Sequence, residues 1–274
     1  MNDYCSPSIH KRYNYTCFTI PELIDIAKSF NNYIIKKKLC KNSKCIISNQ
    51  IDIEQKSKKQ LWNSIYKTMK PLCNSEVCWI DQPFIKSLDD TILLKKLRFF
   101  TFKPKMTKTR YTWLDTNDIN FVLNQYTKIY PKFEFLGAVP SDFYKFTTIK
   151  RDFLDPMKYD ISALVFNTDD STESGQHWLA FLIDHKNKSI EYFDSVGDLP
   201  NRNIKIWMKY IKKQLPEYTT IINRKQMQKK NTECGMFAIN FIISRLKGKL
   251  FNDITFDDNE MNKTRDIIFR PRKL

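Results

Sequence analysis

Apolar residues along this chain recur at two spacings, and the pattern changes near residue 96. Before that point the spacing is helical. Pro21 can open a helix whose apolar face is Leu23, Ile24, Ala27 and Phe30. Residues 58–70 repeat the pattern with Leu61, Trp62, Ile65 and Met69, and residues 83–97 do so with Phe84, Ile85, Leu88 and Leu94. Beyond residue 96, helical and strand-like segments mix. Asp115, with Asp118 three residues on, reads as a carboxylate capping box. The helix it opens carries Ile119, Phe121, Val122, Tyr126 and Ile129 and is closed by Pro131. Strands are expected at 133–139, 162–166, 177–183 and 189–193, the last two joined by the turn-like Asp184-His185-Lys186-Asn187. Residues 203–213 place Ile204, Trp207, Met208 and Ile211 at helical spacing, and 218–223 is a β-branched, strand-like run. Residues 234–246 are apolar at nearly every position and read as a buried helix ending at Gly248. The pattern predicts an α+β protein, a central sheet with helices around it. It divides into a basic, Cys-rich, mainly helical region (1–95) and a second domain (96–274).

Composition supports a packed core and excludes global disorder: 42% of the 274 residues are apolar, with 20 Phe and 13 Tyr. No apolar run approaches the roughly 18 residues that would span a bilayer. The opening Met1-Asn2-Asp3-Tyr4-Cys5 lacks an apolar signal-peptide core, so the expectation is against secretion. The net charge of +16 divides evenly between the first hundred residues and the remainder. Solubility and a Lys-, Ile- and Asn-rich coding bias account for it first. Weak, salt-sensitive, non-specific association with nucleic acid is the second reading, without any signature for base-specific readout.

Chemistry enters with Cys234. The other cysteines all fall in the first 78 residues, whereas Cys234 opens the apolar helix. A helix start has a positive end, which favours a thiolate. His177 begins a strand, a rigid mount for a base, and Asp194 ends the next strand, where it could fix the imidazole tautomer. Gln228, six residues before Cys234, can donate an amide N–H to the oxygen of a tetrahedral intermediate, together with the backbone N–H of Cys234. Taken singly, each residue has a plainer reading: a buried thiol, a structural histidine, a turn aspartate, a surface amide. His10, near the terminus, and His185, in the turn, are weaker bases. The joint order and spacing point to a cysteine hydrolase.

His177-Trp178, Asp194, Gln228 and Cys234-Gly235 resemble the catalytic pattern of the SUMO/ubiquitin-like-protein protease family. Trp113-Leu114-Asp115-Thr116-Asn117-Asp118-Ile119-Asn120 is similar to the segment that opens that family's catalytic domain. Cys73-Asn74-Ser75-Glu76-Val77-Cys78-Trp79-Ile80, Leu136-Gly137-Ala138-Val139-Pro140 and Thr232-Glu233-Cys234-Gly235 bring the likeness closest to the polyprotein-processing proteases of large cytoplasmic DNA viruses, the African swine fever virus type. That type has Asn where Asp194 stands; Asp is the commoner family choice. The resemblance covers roughly residues 73–246. It implies a papain-like/adenain-like cysteine protease fold, a central mixed sheet flanked by helices, with 96–274 as catalytic domain. It also implies a triad of His177, Asp194 and Cys234, oxyanion donors from Gln228 and Cys234, and a narrow tunnel between Trp113 and Trp178 that admits only glycine. Two aromatic faces can sandwich a flat backbone where a Cβ would clash. The implied reaction is cleavage after Gly-Gly, at Gly-Gly-Xaa sites of viral structural polyproteins, during virion maturation. The implied location is the host cytoplasm (viral factory) and the virion, and no cofactor or metal is expected.

Cys40, Cys45, Cys73 and Cys78 form two pairs of C-x4-C spacing. The spacing is loose for zinc, and free or packed thiols are favoured over a metal site or a disulfide. Three other functions fit parts of the pattern. They are a SUMO or ubiquitin deconjugating isopeptidase, an acetyltransferase on the same fold, and a basic nucleic-acid-binding virion protein with an inactive protease fold. The paired tryptophans and Gln228 weigh against acetyl transfer, and the intact constellation weighs against an inactive fold.

Overall fold

A computed structural model describes residues 4–9, 15–37, 50–54, 57–86, 88, 91–105, 112–147 and 151–270. The chain forms two compact units, Met1–Lys103 and Pro104–Lys273.

The first unit holds α1 (Ile20–Lys37), α2 (Lys58–Met69), the short α3 (Glu76–Trp79) and α4 (Pro83–Lys86), and α5 (Thr91–Phe99). The stripes foreseen on α1 and α2 are buried: Leu23, Ala27 and Phe30 on the first, Leu61, Ile65 and Met69 on the second. Thr19 and Glu22 cap α1 reciprocally, the Glu22 carboxylate accepting from the Thr19 N–H at 2.6 Å. The single helix expected over 83–97 is instead two, α4 ending at Lys86 and α5 beginning at Thr91. Buried Glu76 accepts from the Cys17 N–H at 2.9 Å, the Trp62 indole at 2.6 Å and the Thr16 hydroxyl. Burial pushes its carboxyl up against those hydrogen bonds. The cysteines correct the expectation of free thiols. The turn between α2 and α3 brings the Cα atoms of Cys73 and Cys78 to 5.7 Å, and they form a disulfide, as do Cys5 and Cys17 at 5.2 Å. Cys40, Cys45 and His10 lie outside the described residues.

The second unit is built on five strands: β1 (Phe133–Val139), β2 (Ile161–Asn167), β3 (Trp178–Asp184), β4 (Ser189–Phe193) and β5 (Thr219–Ile222), in that spatial order. The β1–β2 and β4–β5 pairs are parallel and the two between are antiparallel, so the sheet is mixed. The pleat sorts side chains strictly. Ala163, Val165, Ala180 and Leu182 face α6 (Thr116–Tyr126) and α8 (Cys234–Leu246). Leu164, Phe166, Phe181 and Ile183 face α7 (Arg202–Gln214), whose Ile204, Trp207, Met208 and Ile211 cover them. Because β3 is buried on both faces, its sequence is a continuous apolar run and not an alternation. The Asp115–Asp118 box caps α6 as expected. Gly137, at φ +120°, sits where the β1–β2 register shifts, and the Asn120 side chain accepts the Ala138 N–H there at 2.7 Å. Near its C-terminal end α8 is tied to the sheet by buried Arg245, which bonds Asp184 at 2.6 Å and Glu191 at 2.8 Å. A last helix, α9 (Asp258–Ile268), was not expected; only Met261 and Ile268 are buried apolar residues on it, alongside buried Asp258 and Arg265.

Candidate active site

His177 immediately precedes β3 and Asp194 immediately follows β4. Antiparallel pairing of Ala180 with Phe193 brings these two strand ends to the same end of the sheet. There the His177 Nε2 lies 2.8 Å from the Asp194 Oδ1. Asp194 is buried, and the same oxygen accepts the Val196 N–H at 2.9 Å, which fixes the carboxylate plane. The amide of Asn223, just past β5, donates to the Asp194 main-chain carbonyl. A hydrogen bond also joins the His177 and Cys234 side chains. Burial pushes the His177 imidazolium down, but the bonds to Asp194 and Cys234 outweigh it and hold the group at about 10 against an ordinary 6.5.

Cys234 is the first residue of α8, buried, and the free cysteine among the described residues. Gly235 behind it lets α8 approach the 112–114 segment closely: a Cβ there would lie 3.1 Å from the Leu114 side chain. The loop before Cys234 carries Gln228, also buried. Its main-chain N–H donates to the Ser195 carbonyl at 2.9 Å, and its side-chain oxygen accepts the Ser195 hydroxyl at 2.6 Å. The amide NH2 therefore points away from Ser195. One of its two N–H groups goes to the Lys230 carbonyl, and the second remains for another acceptor.

The two tryptophans differ. Trp178 is 8% exposed and belongs to the same apolar cluster as Cys234; its indole donates to the Leu114 carbonyl at 2.8 Å. Trp113 is 41% exposed, and its indole donates to the Asn231 carbonyl. Each thus ties one side of the site to another chain segment. The structure joins His177 to Asp194 and to Cys234, and it anchors Gln228 on Ser195, the residue after Asp194. Ser195, Asn223, Glu233, Asp258 and Arg265 were not foreseen. Glu233 lies inside the Thr-Glu-Cys-Gly motif, and Asp257 with Glu260 is a capping signal for α9, but neither reveals a partner. A separate cavity of about 430 Å³, lined by Tyr130, Phe133, Asp184 and Arg245 among others, contains none of these residues.

A buried acid, an imidazole and a thiol bonded in this order form the arrangement that a thiol nucleophile with its base and orienter requires. Residues 86–273 match the Ulp1 protease family, C-terminal catalytic domain. The chain belongs to the Ulp1 family of cysteine proteases. A protein of Acanthamoeba polyphaga mimivirus assigned as a thiol protease is 32% identical over 285 residues, covering 97% of this chain and 93% of its own length. The SUMO-1 cysteine protease of African swine fever virus (isolate Pig/Kenya/KEN-50/1950) is 27% identical over 247 residues, covering 80% of this chain and 90% of its own. A crystal structure of the African swine fever virus protease superposes with a TM-score of 0.62 at 26% identity, covering 82% of this chain and 91% of that one. This Ulp1-family protease therefore shares with its viral relatives most of its length, the N-terminal helical region included in the mimivirus case.

Proposed function

We propose that this protease cleaves after Gly-Gly, at Gly-Gly-Xaa sites of viral structural polyproteins, during virion maturation in the host cytoplasm and virion. The observation that carries the reading is His177 held between Asp194 and Cys234, with Gln228 anchored beside the start of α8. Cys234 passes its proton to His177 and attacks the scissile carbonyl as a thiolate. The oxygen that becomes negative accepts from the Cys234 main-chain N–H and the second amide N–H of Gln228. His177 then returns the proton to the leaving amine, and a water deprotonated by His177 hydrolyses the thioester. Asp194 holds the imidazole through Nε2 throughout. Trp113 and Trp178 flank the residues before the scissile bond, where only glycine fits. The catalytic domain starts near residue 96, and the helical region ahead of it docks substrate.

Cleavage of Gly-Gly-Xaa peptides and of co-expressed polyproteins by the parent chain, abolished in Cys234→Ala, is the expected result. Processing by both would exclude Cys234 as nucleophile. The relative named as a SUMO-1 cysteine protease supports a second reading, deconjugation of SUMO or ubiquitin. Labelling by a modifier C-terminal electrophile without peptide or polyprotein cleavage would select that reading instead. The charge of +16 supports an accessory, non-specific retention on nucleic acid that weakens as salt rises.

A further inference from the structure

The loop that carries Gln228 and Cys234 is held at both ends from one helix. Asp258, in the first turn of α9, accepts the Lys229 N–H at 3.0 Å and the Lys230 N–H at 3.4 Å, just after Gln228. Two turns along the same face, buried Arg265 grips the other end. Its Nη2 and Nε donate to the Glu233 Oε2 at 2.7 and 3.1 Å, and Nη2 also donates to the Thr232 carbonyl at 3.4 Å. Glu233 is itself fully buried and directly precedes Cys234. Arg265 Nη1 turns the other way and donates to the Thr112 carbonyl at 3.2 Å, one residue before Trp113. One guanidinium thus bonds both to the turn that presents the nucleophile and to the segment that presents Trp113.

We propose that Arg265 is a positioning residue that sets the separation between the Trp113 segment and the Cys234 turn, and thereby the selectivity for glycine before the scissile bond. The inference rests on the Gly-Gly reading above. A buried ion pair such as Arg265–Glu233 is a weak source of net stability, because desolvation offsets the attraction. Its geometry is the informative part. A planar guanidinium serves several acceptors at fixed angles, which a flexible ammonium does not. The same segment has further ties: Trp113 to Asn231, Trp178 to the Leu114 carbonyl, and Leu114 against Gly235. Of these ties, the Arg265 link to Thr112 runs through a side chain from a third element, α9. A shift of about 1 Å in such a wall is enough to cost roughly a hundredfold in rate and to admit a methyl group.

The test is steady-state cleavage by the full chain of paired peptides carrying Gly-Gly or Gly-Ala before the scissile bond. The double variant R265M/E233Q replaces the ion pair by neutral side chains of similar volume, so that no uncompensated charge is buried. It is expected to fold, to lose about 10- to 100-fold in kcat/KM on Gly-Gly with kcat falling more than KM rises, and to narrow the Gly/Ala ratio about tenfold. R265K retains a charge opposite Glu233 and is the second variant should the double one not fold. It is expected to keep thermal stability close to that of the parent without restoring the ratio. A folded variant whose kcat and Gly/Ala ratio stay within twofold of the parent overturns the role of Arg265, and so does a loss confined to KM. A parent chain that cleaves Gly-Ala as well as Gly-Gly overturns the Gly-Gly reading itself, and this role with it.

Discussion

Removing the charge of Asp194 while keeping its shape tests how the site holds its proton. Held at about 10 instead of 6.5, the His177 imidazolium is favoured by its bonds to Asp194 and Cys234, which outweigh burial. A charge-assisted hydrogen bond such as that from His177 Nε2 to Asp194 contributes about 1.5–3 kcal/mol, and a neutral acceptor about half of that. Asp194→Asn leaves an oxygen to accept from both His177 and Val196 N–H, so geometry persists and only the charge is lost. The expected cost is about 0.7–1.5 kcal/mol, or about three- to twelvefold in kcat/KM near neutral pH. The upper limb of the pH–rate profile should move toward neutrality. Asp194→Ala also releases the ring and should cost roughly 10⁴-fold. The assays are the pH dependence of kcat/KM on a Gly-Gly-Xaa peptide and of Cys234 alkylation by iodoacetamide. If Asp194→Ala stays within tenfold of the parent with an unchanged profile, the imidazole is not held in the way described.

Gly235→Ala places a Cβ 3.1 Å from Leu114, so the 112–114 segment must give way; about 1–3 kcal/mol should be lost in urea unfolding, together with activity. Arg245→Ala leaves Asp184 and Glu191 buried without their cation, and thermal or urea unfolding should show a loss of about 3–5 kcal/mol, whereas Arg245→Met with Glu191→Gln should cost less. His185, bonded to Ser162 at 3.2 Å and Tyr218 at 3.1 Å, has its pKa pushed below 6.5 chiefly by burial. The unfolded chain therefore binds a proton that the folded one refuses. Stability should fall as pH drops below about 6.5, by up to about 1.4 kcal/mol per pH unit until the folded-state pKa is reached. Urea melts at pH 7 and 5.5 check this, and His185→Gln should remove that part of the slope.

Local pattern carried a long way in this protein. The bounds of β1, β4 and α8 follow from runs of apolar residues between breakers, and the α6 cap from two aspartates three residues apart. The order of the candidate site residues was legible for the same reason. His177 and Asp194 are joined by a short hairpin, so strand pairing alone brings their ends together, and Cys234 heads a helix that its own sequence declares. The cysteine pairing was misread because C-x4-C spacing does not say how the intervening turn folds; a Cα separation of 5.7 Å does. Helix α9 was missed because its buried face is half polar, and Asp258 and Arg265 look like surface residues until their partners are known. Those partners are the Lys229 and Lys230 amides, Glu233 and Thr112, at separations from 28 to 153 residues. Periodicity and capping report on interactions within a few residues, and they determined the elements and the order of the chemistry. Which buried charges meet, how Gln228 is turned and what ties the Trp113 segment to the Cys234 turn depend on packing between distant segments, and only the tertiary structure decided them.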